Sequence, residues 1–152
     1  MAPPDPRPSP TAAAVRVAPL SELEPATLYG ILQLRSRVFV VEQDCVFLDP
    51  DGLDVAPGCL QLWVADGDGV VACARLLARA EGDELGRIAV APGARERGLG
   101  EALVRRGLEL GRPPLHLKAQ ARLRGWYRRL GFEACGPEFM EDGVPHLPMR
   151  AR

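Results

Sequence analysis

Residues 84–110 read ELGRIAVAPGARERGLGEALVRRGLEL, and the change of period inside this stretch decides how the rest of the chain is laid out. Its opening, ELGRIAVAP, is a short apolar run ended by Pro92 and predicts a strand. From Leu99 to Leu110 the period becomes helical, with Leu99, Leu103 and Leu110 apolar, Arg105 and Arg106 exposed, and Gly111 and the prolines after it closing the helix. RERGLG, residues 95–100, lies at the joint. Glycine lets backbone amides turn toward a ligand with no side chain in the way, and a helix start offers unpaired amides at the positive end of its dipole. Amides from Arg97 to Glu101 can therefore converge on a phosphate pair, with Arg95 and Arg97 adding charge from the rim.

The motif alone is weak, because a chain this rich in arginine and glycine produces Arg-x-x-Gly-x-Gly/Ala by accident. It fits in overlapping registers, from Arg95 and from Arg97. Two familiar phosphate sites are nevertheless excluded. No Lys-Ser or Lys-Thr pair follows the glycines, as a triphosphate loop requires, and no third glycine stands at the dinucleotide spacing. ATP and NAD are poor ligands for such a joint.

Working outward, AVRVAPL predicts a first strand, and Ser21 with Pro25 marks the start of an amphipathic helix running to about Val41 through Leu28, Ile31, Leu32, Leu34 and Val38. Asp44 to Gly58, with its aspartates, prolines and glycines, predicts a long loop or broken helix. CLQLWVAD and VVACARLLA flank the turn GDG as a hairpin. LHLKAQ is a strand, ARLRGWYRRL a short helix and GFEACG a strand start. PHLPMRA predicts a last strand, confined to an edge by its prolines. The expected fold is α+β: one mixed sheet with helices packed on it.

At 152 residues the chain is one domain, expected over 15–152, behind a disordered tail at 1–14 that lacks the basic start and apolar stretch of a signal peptide. A formal net charge of -1 argues against a dedicated nucleic-acid binder, and no apolar run is long enough to span a bilayer. The four cysteines form no Cys-x-x-Cys pair, so no metal site is expected, and reduced, mostly buried thiols in a cytoplasmic setting are.

Strand, Arg-x-x-Gly-x-Gly, helix, then strand and a short helix carrying WYRRLGF resembles the GNAT superfamily of N-acetyltransferases. Leu103 supports the Arg95 register, because the family pattern continues Gly-x-Gly-x-x-Leu. RSRVFVVEQ, LDPDGLD, AQARLRGWYRRLGF and EDGVPHLPM, in that order, are similar to the ElaA-type branch, and the resemblance covers about residues 15 to 151. The branch pattern leads us to expect a histidine where GCLQLW has Gln61, so no role of that histidine carries over.

The resemblance implies a mostly antiparallel sheet of six to seven strands, a central parallel splayed pair and helices on both faces. It implies acetyl-coenzyme A as cofactor, held by the loop Arg95, Glu96, Arg97, Gly98, Leu99, Gly100 and Glu101 and by the backbone of Ile88, Ala89 and Val90. It implies Tyr127, near the thioester sulfur, as the general acid; a phenol with an ordinary pKa of about 10 stays protonated at neutral pH. Glu42 and His146 are the candidates for base or acceptor binding, with Gln43 beside them, while His116 reads as structural. The arginines Arg122, Arg124, Arg128 and Arg129 form either a solvated face or a contact for the ribose 3′-phosphate, and the acidic loop Asp44–Asp54 suggests a bias toward cationic amines. The expected partner is a small-molecule amine or a protein amino group, with no nucleic acid or membrane, and the state a monomer or homodimer. A non-catalytic acyl-coenzyme A sensor stays open beside the enzyme.

Overall fold

The computed structural model describes residues 15–67 and 69–152, so the expected tail lies outside the described residues. The chain runs β1 (Arg16–Ala18), α1 (Pro25–Arg35), β2 (Leu60–Asp66), β3 (Gly69–Leu77), β4 (Glu84–Val90), α2 (Leu99–Leu110), β5 (Leu115–Gln120), α3 (Arg124–Arg129), β6 (Glu133–Ala134), β7 (Phe139–Glu141) and β8 (Val144–Ala151). The strands form one sheet of order β1-β2-β3-β4-β5-β8-β6, with β7 also paired to β8. Every pairing is antiparallel except that of β4 with β5.

Alternation along the central strands builds a core on each face, because successive side chains of a strand point to opposite sides. Leu62 and Val64 of β2 join Ala72, Ala74 and Leu76 of β3 under Leu99, Leu103 and Val104 of α2. Their neighbours Trp63 and Cys73 point the other way and meet Ile31 and Leu34 of α1. Helices thus cover both faces, as the family resemblance implies.

Three expectations shift in detail. Ser21 lies in a short 3-10 turn, Leu20–Glu22, and α1 starts instead behind Glu24, where the fixed backbone of Pro25 suits the first helical position. Regular α-helix stops at Arg35, and Ser36–Glu42 continues in wider π-type turns, a departure often found at functional sites. The sheet has eight strands rather than six or seven, since Asp142 and Gly143, both at positive φ, turn β7 back into β8 as a tight hairpin. The β8 strand is therefore interior, between β5 and the pair β6 and β7, and not at an edge. Pro148 has no N–H to give, but its carbonyl accepts from the Cys135 amide at 2.9 Å, so the ladder holds there through acceptors.

Candidate active site

The parallel strands β4 and β5 pair only at Glu84 with His116 and then separate. The cause lies in β4. Between the pairs Cys73 with Ala89 and Arg75 with Gly86, β4 carries one more residue than β3, and Arg87 there has a left-handed φ of 51°. Such a bulge bends its strand and leaves backbone groups without a ladder partner. The opening is a cleft of about 710 Å³ bordered by Ile88 and Val90 on one side and Leu117 and Lys118 on the other. Ile88 and Val90 also pack against one core, and Ala89, 2% exposed, belongs to the other. Their side chains hold the strand while its backbone lines the gap.

Arg95, the first residue of the loop Arg95–Gly100, borders this cleft. Gly98, at φ 74°, caps α2 without any side-chain hydrogen bond, and the first backbone bond of the helix region runs from the Ala102 amide to the Gly98 carbonyl. The amides of Leu99, Gly100 and Glu101 precede it and have no carbonyl one turn back to bond. An uncapped helix start of this kind fits a diphosphate. Glu96 also adopts a left-handed φ of 67°, a second turn of the backbone in the same loop. The two glycines differ. A methyl group on Gly100 would make ordinary contact with Trp126 at 3.7 Å, whereas one on Gly98 would be strained by the backbone itself. Gly98→Ala is expected to lower stability by about 1 kcal/mol, a melting shift of about 2–4 °C, and Gly100→Ala to lower it by less. Equal shifts in a thermal melt would contradict this account.

Tyr127 projects from α3 into the cleft with 6% of its surface exposed, its ring edge-to-face with Trp126 at 4.8 Å and Phe132 at 5.9 Å. Burial pushes its phenol up to about 12, and its hydroxyl makes no hydrogen bond with the described residues. His146 lies on β8, stacked on Phe139, with Nδ1 2.7 Å from the Val144 carbonyl oxygen. A carbonyl only accepts, so Nδ1 carries a proton, and Nε2 lies 3.8 Å from Glu141. Gln43 borders the same cleft, and His116 lies away from it, its Nε2 3.1 Å from the Glu81 carbonyl oxygen.

Glu42, expected on the acceptor side, is engaged by the phosphate loop. Arg95 grips it as a fork, with both nitrogen-to-oxygen distances 2.6 Å, and these hydrogen bonds and the charge hold the Glu42 carboxyl below its usual range. Arg97 points elsewhere, 3.7 Å from Asp66. Arg124, Arg128 and Arg129 pair with no carboxylate among the described residues, and Arg122 donates to Gln120.

Sequence reasoning missed a buried charge network under the cleft. Arg35, 1% exposed, donates from Nε to Asp49 at 2.8 Å and from Nη1 to Asp54 at 2.6 Å. Arg75 grips Asp51 with both terminal nitrogens at 2.8 Å, Arg87 lies 2.8 Å from Asp49, and Gln61 donates to Asp54. Asp49, Asp51 and Asp54 are thus matched by Arg35, Arg75 and Arg87, and of the aspartates in Asp44–Asp54 only the exposed Asp44 has no ion pair among the described residues. Gln61, 1% exposed, fills a place in this network. Only the recurrence of aspartates in LDPDGLD hinted at it; the arginines lie too far away in sequence to be matched to them.

Of the cysteines, Cys59 and Cys73 are buried, Cys45 is half-buried and donates to the Asp142 carbonyl oxygen, and Cys135 is exposed, so burial is less complete than composition led us to expect. Burial pushes the Cys73 thiol up to about 12 and raises that of Cys59. Among the described residues no His, Cys, Asp and Glu side chains gather as a metal-holding cluster, and no helix is long and apolar enough to cross a membrane.

A splayed parallel pair beside an uncapped helix start is the arrangement the resemblance implies, and comparison with known proteins agrees on the family. The acetyltransferase (GNAT) domain family matches residues 55–152. The chain belongs to the GNAT acetyltransferase family. Within it the chain groups with ElaA-type proteins: Protein ElaA of Escherichia coli is 36% identical over 85% of this chain and 90% of its own. A UPF0039 protein of Mycobacterium tuberculosis is 37% identical over 90% of this chain and 91% of its own. Among solved structures, E. coli ElaA superposes with a TM-score of 0.84 at 34% identity, over 91% of this chain and 98% of that one. An acyl-CoA N-acyltransferase from Pseudomonas aeruginosa has a TM-score of 0.84 at 35% identity, over 91% and 99%.

Proposed function

We propose that the protein transfers an acetyl group from acetyl-coenzyme A to a primary amine, by direct attack within a ternary complex. The observation that carries this is one cleft bordered by Arg95, at the head of the loop that leads into an uncapped helix start, and by Tyr127, whose hydroxyl bonds to no described residue. The amides of Leu99, Gly100 and Glu101 would hold the diphosphate, and the exposed backbone of Ile88, Ala89 and Val90 the pantetheine arm. The donor supplies an activated thioester, and the residues of this chain supply position and protons. An amine arrives as its ammonium and must lose a proton before it can attack. His146 Nε2 takes that proton. Backbone amides freed by the β4 bulge polarise the carbonyl, and Tyr127 gives its proton to the departing thiolate.

Burial raises the thiols of Cys59 and Cys73, which makes both poor acyl carriers, because only a thiolate is a competent nucleophile. We place the activity in residues 15–152 and in a reducing cytoplasm, which suits a chain whose thiols are free. The Pseudomonas acyl-CoA N-acyltransferase supports the donor class by likeness.

The decisive measurement is a thermal melt with acetyl-coenzyme A, ATP or NAD added. Saturating acetyl-coenzyme A, about 100 times its dissociation constant, should stabilise the fold by about 2.7 kcal/mol, a rise of several degrees, while ATP and NAD should have little effect. Stabilisation by ATP alone would sink the proposal. The sensor reading predicts the same melt and is separated from the enzyme by the Tyr127 substitution discussed below.

A further inference from the structure

The fork between Arg95 and Glu42 joins the two halves of the cleft. Arg95 opens the phosphate loop, and Glu42 ends the Ser36–Glu42 segment that forms the opposite wall. Both terminal nitrogens of Arg95 are spent on the Glu42 carboxylate at 2.6 Å, and its Nε donates to the Val90 carbonyl at 3.2 Å. The pair is accessible, with 42% of the Arg95 side chain and 37% of that of Glu42 exposed.

A diphosphate offers a guanidinium the same forked oxygen geometry as a carboxylate and carries more charge. A carboxylate and a diphosphate held on one guanidinium would also face each other as like charges a few ångströms apart. We propose that Glu42 and the donor diphosphate compete for Arg95, so that donor binding draws Arg95 into the phosphate loop and uncovers the Glu42 carboxylate toward the acceptor half of the cleft. Donor and acceptor sites are then coupled through one ion pair: the carboxylate available to a cationic amine is capped until the donor is seated. The coupling rests on the coenzyme A reading given above.

Isothermal titration of coenzyme A into wild type and Glu42→Gln tests it. The amide keeps the shape of the side chain and removes the competing charge, so coenzyme A should bind the variant about two- to fivefold more tightly, the range expected for an exposed forked pair. Pantetheine, which lacks the diphosphate, should bind both proteins alike. In an Arg95→Ala background the Glu42 substitution should change coenzyme A affinity no further. In wild type the side-chain carboxyl carbon resonance of Glu42 should shift on adding coenzyme A and stay in place on adding pantetheine. Unchanged or weaker coenzyme A binding by Glu42→Gln would overturn the competition and leave Glu42 as an idle partner or a support for Arg95. Failure of wild type to bind coenzyme A is a separate result that removes the donor reading itself.

Discussion

Replacing Tyr127 with phenylalanine is expected to lower kcat by about 10²- to 10⁴-fold, the usual contribution of a positioned proton donor. Acetyl-coenzyme A affinity should stay within about twofold of wild type. The two effects separate because the side chain does two things through different atoms. The ring packs edge-to-face on Trp126 and Phe132, and phenylalanine keeps those contacts. The hydroxyl bonds to no described residue, so removing it leaves no orphaned partner and little change in stability. Burial holds the phenol protonated up to about 12, so Tyr127 gives no alkaline limb near 10 in the pH profile. His146→Gln, which removes the proposed base, should lower kcat as well. Steady-state thiol release with an amine found by screening measures both variants. Turnover by Tyr127→Phe within a few-fold of wild type would end the general-acid role, and a wild type that binds the donor yet acetylates no amine would favour the sensor.

Arg35→Met is expected to destabilise the fold by about 3–5 kcal/mol, because methionine keeps the bulk and removes the charge that matches two buried carboxylates. Asp49 is 4% exposed and Asp54 7%, too little for water to replace the lost hydrogen bonds. Arg87 remains near Asp49, and Arg75 and Gln61 near Asp54, which keeps the loss below that of wholly unpaired charges. The acid limb of stability carries the same information. The hydrogen bond from Arg75 holds the Asp51 carboxyl well below the usual range. Burial pushes Asp54 upward, but Arg35, Gln61 and Arg75 together outweigh it and leave it lowered. Groups whose folded pKa is depressed contribute stability that is fully present above the unfolded value of about 3.9 and is lost as pH falls through it toward the folded value. Wild type should therefore lose stability below about pH 4, and Arg35→Met, already without part of that contribution, should lose less there. Denaturant melts at pH 7 and pH 3 measure both effects. As a comparison, Glu101→Gln breaks the exposed pair with Arg105 on α2 and should hardly shift the midpoint. If Arg35→Met behaved like Glu101→Gln, the network would have no part in holding the loop.

The strand and helix around the glycine loop were legible because they are local. Glycine spacing, a terminating proline and the switch from strand to helical period all fall within residues 84–110; α2 has the expected bounds, and β4 starts at Glu84 as expected and ends at Val90, just before Pro92. The role proposed for Tyr127 rests on the likeness of WYRRLGF to a family, since nothing local tells a site tyrosine from a packed one. The interior place of β8 was not legible. Prolines suggest an edge, and only the hairpin with β7 and the pairing with β5 show that Pro145 and Pro148 are tolerated inside the sheet.

What the sequence by itself determined was therefore the order of elements, which depends on residues within a helical turn or a strand of one another, and the family, which several such local segments in the right order carry. What only the tertiary structure decided was which charges meet. Arg35 finds Asp49 and Asp54, Arg75 finds Asp51, and Arg95 finds Glu42, across separations of 14, 19, 24 and 53 residues. Coulomb attraction acts on distance in space, and no periodicity in the chain encodes it. So composition pointed to a free acidic loop and an open Glu42, and folding pairs three of the loop's four aspartates with buried arginines and makes Glu42 the partner of Arg95.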